Sequence, residues 1–315
     1  MKKVFFILFL AFFSTLTRAQ ESQTVYNFLR LPMSGHAAAL GGDNITLSDD
    51  DAALIFGNPA LLTSVSDKTL NLSYMNYMQG ANTLGAAFNR SLSTRASVAV
   101  SGQYINYGTM KETDEQGRQT GDFSAKDIAV AGYFSYLLTD HLSGGITGKF
   151  VTSYIGQYNS VGVAVDIGLN YFDPERGWSL SAVACNLGGQ LTAYEDDFER
   201  LPIDIQAGVS KRLTGTPVRF SATLVDLNHL GDYKFVDHLV GAVDLLLSKQ
   251  IWVGMGYNFR RAHEMRIGSG DDESSHGAGL SFGAGLQLER FKVNLAYGKY
   301  HVSSSSVVIN TAFSL

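Results

Sequence analysis

The 315-residue sequence has little cysteine, little proline and few charged residues. Its single cysteine, Cys185, cannot form an intramolecular disulfide and does not lie where a lipoprotein would need it. Only 5 prolines and 17% charged residues accompany 33 glycines, 15 tyrosines and 19 phenylalanines, a balance that favours strands and tight turns over helices. After the N-terminal segment, no uninterrupted apolar run reaches the roughly 18 residues of a spanning helix, which excludes a helical membrane protein but not a β-barrel.

Residues 1–19 have the pattern of a secretory signal peptide. Two lysines open the segment, an apolar run follows, and Thr17-Arg18-Ala19 is a small-x-small cleavage pattern. The apolar run is about half the roughly 20 residues that a membrane span needs, so we expect export and removal of this segment. Without its three basic residues, 21 basic and 29 acidic residues remain, a net charge of −8. Because no basic stripe is present, nucleic acid is not an expected partner.

From about residue 70 onward, apolar residues alternate with small or polar ones in segments of about ten, a pattern typical of transmembrane barrels. A soluble sandwich also alternates, so the number and rhythm of the segments must decide. The pattern predicts an all-β, fourteen-stranded antiparallel transmembrane outer-membrane β-barrel over residues 70–315. The predicted strands are 70–78, 82–90, 95–106, 126–138, 141–154, 158–172, 177–186, 202–212, 217–226, 238–248, 250–260, 277–289, 291–300 and 307–315.

The connections between these strands are of two kinds. Every second connection is a tight turn, and several of the others are long, namely residues 107–125, 187–201, 227–237 and 261–276. Outer-membrane barrels have short turns on the periplasmic side and longer loops at the cell surface, so we expect that orientation. Aromatic residues near strand ends are predicted to form interfacial girdles; they are Tyr104, Tyr107, Tyr154, Tyr171, Phe172, Tyr257 and Phe259.

The inward-facing positions are mostly small, which leaves room inside a barrel of about fourteen strands for water or a plug. Residues 20–69 precede the first strand and lack its alternation, so we expect them to form a hatch. Within them, residues 49–56 predict a helix start capped by Asp49 to Asp51, and Pro59 is expected to break that helix. The inward charges are predicted to be Lys149, Asp166, Asp204, Arg212, Arg219, Asp244 and Arg260.

The glycine-rich segment 35–42 does not fit a ligand loop. A phosphate loop needs a lysine and a hydroxyl residue after its last glycine, but Asp43 follows Gly42. The acids at 49–51 are contiguous and lack the terminal glutamate of a calcium loop, which favours helix capping. The histidines are scattered over turns and loops without a Ser/His/acid arrangement. We therefore expect no cofactor, no metal and no enzyme activity.

The stretch FLRLPMSGHAAALGGDNITLSDDDAALIFGNPALL, residues 28–62, closely resembles the start of the PorQ family of outer-membrane barrels from the type IX secretion system of Bacteroidetes. It is also similar to PorV and, more distantly, to FadL-type fatty-acid-transporter barrels. His36 departs from the resemblance, which leads us to expect arginine there. The motif residues of the hatch are Pro32, Ser34, Ala38, Ala39, Leu40, Gly41, Gly42, Asp51, Asn58, Pro59 and Ala60.

The resemblance implies a non-enzymatic member of a cell-surface attachment complex that also contains PorU, PorV and PorZ. The chain would hold the peripheral protein PorZ at the outer membrane and so support anchoring of secreted cargo to surface lipopolysaccharide. Direct contact with PorZ is expected through the long loops, with candidate residues Tyr107, Phe123, Tyr194, Phe198, His229 and Tyr233. The alternative is a FadL-like transporter of hydrophobic small molecules, with an apolar path lined by hatch residues such as Leu54, Ile55, Phe56, Leu61 and Leu62.

Overall fold

The computed structural model describes residues 24–78, 80–231, 233–265, 277–300 and 304–315, together with the backbone of two short strands between residues 267 and 274. The predicted signal peptide, His276 and His301 lie outside the described residues. Among the helices of the described residues, none has the length and apolar character needed to cross a membrane.

Fourteen strands form one closed antiparallel barrel, in which β1 pairs with β16 and closes the ring. Closure gives every strand two hydrogen-bonded neighbours, which a sheet in lipid requires. The predicted all-β, fourteen-stranded antiparallel fold is confirmed. The strands are β1 (Thr69–Asn76), β2 (Asn82–Ser91), β3 (Ala96–Thr113), β4 (Gln119–Leu137), β5 (Leu142–Ile155), β6 (Tyr158–Asp173), β7 (Trp178–Thr192), β8 (Asp204–Arg212), β9 (Val218–Leu224), β10 (Leu239–Leu246), β11 (Ile251–Asn258), β12 (Ile267–Ser269), β13 (Asp272–Ser274), β14 (Leu280–Gln287), β15 (Phe291–Gly298) and β16 (Ser306–Ser314), of which β12 and β13 form a separate hairpin outside the barrel.

The helices are short and lie outside the wall strands. Among the described residues, two are α-helices, α1 (Gly35–Ala39) and α2 (Phe259–Glu264), and five are short 3-10 helices, at Asn27–Arg30, Ala52–Phe56, Pro59–Ser64, Leu227–His229 and Phe235–His238.

The two faces of the wall have opposite chemistry. In β6, Val163 and Ile167 are exposed on the outer face, while Ser160, Asp166 and Asn170 are buried on the inner face. The same alternation recurs around the barrel and leaves an outer belt of large apolar side chains, which suits lipid. Its members include Leu72, Val100, Phe134, Phe150, Phe220, Met255, Phe282 and Leu295.

Two regions predicted as long loops are partly strand. β3 and β4 stay paired from Thr109↔Ser124 to Thr113↔Gln119, and β7 continues to Thr192. Most residues of these extensions are polar or glycine, with Met110, Phe123, Leu187 and Leu191 as exceptions, so the regular apolar alternation of the predicted strands ends before the hydrogen bonding does.

Three predictions of side-chain placement were wrong. Arg212 is exposed at the end of β8, and Arg260 belongs to α2 rather than to an inward strand face. Tyr107 faces the lumen instead of the lipid interface, and its hydroxyl donates a hydrogen bond of 2.7 Å to Asp127. A register shift between Asn106 and Thr109 interrupts the alternation at this point.

The barrel has two distinct mouths. The short-turn mouth carries the connections 92–95, 138–141, 174–177, 213–217, 247–250 and 288–290. The long-loop mouth carries 77–81, 114–118, 156–157, 193–203, 225–238, 259–279 and 299–305.

Candidate functional site

Residues 24–68, called the hatch below, fill the lumen of the barrel. Their apolar side chains are packed against one another and against the wall rather than exposed to water. Eight large ones are at most 2% exposed, namely Phe28, Met33, Leu40, Ile45, Leu47, Ile55, Leu61 and Leu62. Leu54 is similarly buried, while Phe56 is only partly buried. The apolar hatch residues therefore form a packed interior.

Glycines of the wall receive α1. A β-carbon added at Gly256 would lie 2.2 Å from the backbone carbon of Leu40, and one at Gly283 would lie 2.8 Å from Cβ of Ala39. These distances leave no room for a side chain, so the absence of one lets the α1 backbone lie directly on β11 and β14. The helix starts at Ser34, whose Oγ accepts a hydrogen bond from the Ala37 N–H at 3.2 Å.

The chain leaves α1 through two consecutive glycines with left-handed backbone. Gly41 has φ +99° and Gly42 has φ +97°, a region that side chains rarely tolerate. A β-carbon at Gly41 would also meet Cγ1 of Val240 at 2.3 Å. The glycine-rich motif thus turns the chain against the wall, and Pro32 packs beside Gly42.

The Asn-Pro-Ala motif of the hatch packs against a second pair of wall glycines. Asn58 caps the 3-10 turn that begins at Pro59, and its Oδ1 accepts from the Ala60 N–H at 3.0 Å. β-carbons added at Gly168 and Gly145 would lie 2.2 Å from Asn58 Oδ1 and 2.4 Å from the Pro59 carbonyl carbon. Pro59 therefore starts a helical turn instead of breaking one, as residue N1 allows.

The three acids of the hatch have separate partners. Asp51 caps the turn Ala52–Phe56 as predicted, accepting from the Ala53 N–H at 2.9 Å, and it also accepts from the Ser34 hydroxyl at 2.7 Å. Asp49 and Asp50 lie before that turn and pair with wall cations instead, so the prediction that they join the cap was wrong. Asp50 lies 2.5 Å from Lys292 Nζ.

A buried cluster of charged groups joins the hatch to β9, β10 and β11. Arg219 donates to Asp49 at 2.9 and 2.8 Å and to Asp244 at 2.6 Å. His36 Nε2 lies 3.0 Å from Asp244 Oδ2, and the His36 ring stacks on Trp252 at a centroid distance of 3.6 Å. Burial alone would raise the pKa of Asp49, but the charge and hydrogen bonds of Arg219 hold that pKa well below its ordinary value.

The sequence analysis predicted some residues of this cluster individually but did not predict that they meet. Arg219 and Asp244 were predicted to face inward, but His36 was recognised only as a departure from a motif. His36 and Asp244 are 208 positions apart in the chain. The available signal was a titratable residue within a segment otherwise composed of alanine and glycine.

A cavity of about 60 Å³ remains between the hatch and the wall near the long-loop mouth. Water occupies about 30 Å³ in the liquid, and an engineered apolar cavity that binds benzene measures about 150 Å³, so this space suits about two waters and not an aromatic hydrocarbon. Its lining is mixed, with polar residues Asp43, Asn44, Asn186, Asp204 and Gln206.

The candidate partner-binding residues fall into two groups. Tyr107 and Tyr194 face the lumen, where Tyr107 donates to Asp127 and Tyr194 donates to Ser153. Phe123 lies partly buried on β4, beside Gly156. The other three are more exposed and occupy two neighbouring loops. They are Phe198, which is 66% exposed, His229 and Tyr233.

The loop 225–238 is braced by α2. Arg260 forms an ion pair with Asp226 and lies over the Tyr233 ring, 4.2 Å from its centroid. His229 Nδ1 lies 2.8 Å from Asp226. Burial alone would raise the pKa of Asp226, but hydrogen bonds from Arg260 and His229 lower it below its ordinary value. The structure therefore brings His229 and Tyr233 together around one ion pair.

Within the described part of the chain, no group of three or more His, Cys, Asp or Glu side chains could hold a metal ion. Two of the histidines bind backbone carbonyls: His141 lies 3.0 Å from Phe172 O, and His238 lies 2.8 Å from Val225 O.

The fold resembles those of solved hydrocarbon-transport barrels. The chain is similar to the P. putida toluene transporter TodX, with a TM-score of 0.54 and 12% identity over 89% of this chain and 97% of TodX. It is also similar to the CymD monoaromatic hydrocarbon channel, with a TM-score of 0.57 and 12% identity over 92% of this chain and 99% of CymD. No family model and no curated protein matches the chain. The chain thus shares with TodX and CymD the fold of a closed β-barrel, which in this chain has fourteen antiparallel strands.

Proposed function

We propose that this protein is a closed outer-membrane barrel that anchors a partner protein at its long-loop mouth. The observation that carries the proposal is the filled lumen, in which the hatch is packed on wall glycines and ion-paired to wall cations. A filled lumen offers a solute no open path unless the hatch moves, whereas a barrel that holds a partner needs only a rigid wall and a presented surface.

The presented surface is the long-loop mouth. Loop 193–203 is fixed at both ends, because Tyr194 bonds Ser153 and the Leu201 side chain is only 2% exposed. Loop 225–238 is fixed by the Asp226 and Arg260 pair. Between these fixed points Phe198 and Phe235 are 66% and 65% exposed. Aromatic side chains held on fixed loops lose little freedom on binding, which favours a protein interface.

The resemblance of the hatch motif to the PorQ family supplies the identity of the partner. We infer that the chain belongs functionally to the attachment complex of the type IX secretion system, with PorZ as the direct partner and PorU and PorV as further members. The long-loop mouth then faces the cell surface, and the barrel itself performs no chemistry.

The second candidate function is transport of hydrophobic small molecules. The fold comparison supports this candidate more directly than the anchor, because TodX is a toluene transporter and CymD a monoaromatic hydrocarbon channel. The lumen geometry supports the anchor, because a cavity of about 60 Å³ does not admit such a molecule without movement of the hatch.

Affinity purification of the tagged protein from outer membranes in mild detergent separates the two candidates. We expect PorZ to be recovered with the native barrel and to be lost when residues 195–199 and 229–236 are both replaced by Gly-Ser segments. A barrel whose short turn 214–216 is replaced in the same way is the matched control and should retain PorZ.

A parallel assay measures passage of toluene into liposomes that contain the barrel. Full PorZ recovery with both loops replaced would refute the loop assignment. A solitary purified barrel that accelerates toluene passage would refute the anchor and establish the transporter.

A further inference from the structure

The geometry around His36 places a carboxylate beside each of its ring nitrogens. Nε2 lies 3.0 Å from Oδ2 of Asp244, and Nδ1 lies 3.4 Å from Oδ2 of Asp49. A neutral imidazole has only one N–H, so one nitrogen would direct a lone pair at a carboxylate. If Nε2 carries the lone pair, it accepts only a long hydrogen bond from NH2 of Arg219, at 3.5 Å, while Oδ2 of Asp244 still faces the same lone pair at 3.0 Å. The imidazolium form donates from Nε2 to Asp244 and lies at ion-pair distance from Asp49.

The charges of this cluster balance only with that proton. Asp49 and Asp244 contribute two negative charges, and Arg219 and His36 contribute two positive charges. The side chains of His36, Arg219 and Asp244 are 1%, 10% and 0% exposed, and Asp49 is 25% exposed. Loss of the His36 proton would leave a net negative charge in a site that water hardly reaches, which is unfavourable.

The cluster connects two parts of the molecule that are otherwise separate along the chain. His36 and Asp49 belong to the hatch, whereas Arg219 and Asp244 are cross-strand partners on β9 and β10. The Trp252 ring on β11 covers the His36 ring at an interplanar angle of 10°. An imidazolium on the face of an indole gains a further attraction that the neutral ring lacks.

We propose that His36, Asp49, Arg219 and Asp244 form a proton-dependent latch that fastens the hatch to the wall. Protonated His36 holds the latch closed, and loss of the proton loosens the hatch beside β9, β10 and β11. The latch goes beyond the proposed function, because it governs the closure of the lumen whether or not any molecule crosses.

Other titratable groups near the latch belong to separate pairs. Asp51 faces α1 from the next part of the hatch and is bonded by Ser34 and Ala53. Lys292 on β15 pairs with Asp50. Arg212 on β8 contributes its charge to Asp49 from a distance. Asp51 and Asp50 have partners of their own, although the charge of His36 also acts on Asp51. Within the latch, His36 is the group whose proton decides the balance.

The chain contains two built-in reporters for this movement. It has two tryptophans, of which Trp252 is 3% exposed on the latch and Trp178 is 40% exposed on the outer face. Trp178→Phe therefore leaves a single emitter stacked on His36. The sole cysteine, Cys185, is 8% exposed, with its Sγ 3.8 Å from the hatch carbonyl of Gly57, so a maleimide reaches it only when the hatch moves.

The test follows Trp252 emission and Cys185 labelling of the Trp178→Phe protein in detergent micelles between pH 5 and pH 9. Each labelling rate is divided by that of the denatured protein at the same pH, which removes the intrinsic effect of pH on the thiol. We expect emission to rise with pH and relative labelling to increase about tenfold, a change that corresponds to about 1.4 kcal/mol. Retarded migration on heating in detergent gels confirms that the barrel is folded throughout.

His36→Phe in the same background is the matched variant, because it keeps a ring on Trp252 and removes the proton. Its labelling should be fast at both ends of the pH range, and its emission should show no step. Arg219→Gln provides an independent check and should label fast at every pH. An emission step that persists in His36→Phe, or a step in the parent without any change in Cys185 labelling, would overturn the latch.

Discussion

Replacing Gly256 by alanine tests whether the hatch is seated on the wall. The new β-carbon would lie 2.2 Å from the Leu40 carbonyl carbon and 2.4 Å from the Gly41 nitrogen. Normal contacts of this kind are about 3.4 Å or longer, so the α1 backbone must move by about 1 Å. Both opposing atoms are backbone, so a side-chain rotation cannot relieve the contact. The inner face of β11 and the end of α1 cannot both keep their positions.

The size of the effect follows from the cost of overpacking. Inserting a methyl group into a packed interior costs about 1–3 kcal/mol when neighbours can shift. The barrel wall is held by hydrogen bonds on both sides of β11, whereas the hatch is held by side-chain contacts, so the hatch is the part that moves. A change of about 1–3 kcal/mol in hatch closure corresponds to about a 5- to 150-fold change in the population of the open form.

Cys185, on β7 beside the hatch carbonyl of Gly57, reports by its labelling with a maleimide whether the displacement opens the hatch. We expect Gly256→Ala to label about 5- to 150-fold faster than the native protein while the barrel remains folded on unheated detergent gels. Gly241→Ala is the control, because Gly241 pairs with Tyr257 on the neighbouring strand and has no atom within 4 Å of its added β-carbon. Equal labelling of all three proteins would refute the close seating of α1 on β11.

Three further changes test the charged and capping groups. Lys149→Met removes the partner 2.7 Å from the buried Asp166 carboxylate and should destabilise the barrel by about 3–5 kcal/mol in thermal unfolding followed on gels, with partial recovery when Asp166→Asn is added. Hydrogen bonds lower the pKa of Asp226 below its ordinary value of 3.8, so the stability that its ion pair contributes is present above pH 3.8 and is lost as the pH falls through the lowered pKa. Protease resistance of loop 225–238 should therefore persist from neutral pH to about pH 4. Asp226→Asn should abolish this resistance at neutral pH. Asn58→Ala removes the cap from the Ala60 N–H and should loosen the hatch by about 1 kcal/mol, visible as a few-fold faster labelling of Cys185; an unchanged rate would contradict the capping role.

The barrel could be predicted from sequence because each strand carries its own evidence. In β6 the alternation of Val163 and Ile167 with Asp166 and Asn170 fixes which side chains face lipid, whatever the neighbouring strand is. The predicted strand bounds were less accurate where the contrast between apolar and polar faces ends. Between Thr109 and Thr113 both faces of β3 meet water, so hydrogen bonding continues without any apolar signal.

The site could not be predicted in the same way, because alternation identifies the face of a side chain but not its neighbour. Arg219 and Asp244 were recognisable as inward charges, yet nothing in the spacing shows that they meet each other and Asp49. The inward charge Asp166 pairs within the wall with Lys149 instead of with the hatch. Strand register and the path of an irregular segment decide these contacts, and both depend on the whole barrel.

The energetics of the hatch limit how any passage through the barrel could occur. Eight large apolar hatch side chains are at most 2% exposed, and burying each contributes about 1.5–3 kcal/mol, so complete expulsion would cost about 12–24 kcal/mol before any ion pair is counted. That cost equals or exceeds the stability of a typical domain, about 5–15 kcal/mol. Passage must therefore use a local displacement. Such a displacement begins at the charged latch, since a single proton there changes the charge balance between the hatch and the wall. Elsewhere, close packing of Leu40 and Pro59 against wall glycines holds the hatch without any charged group.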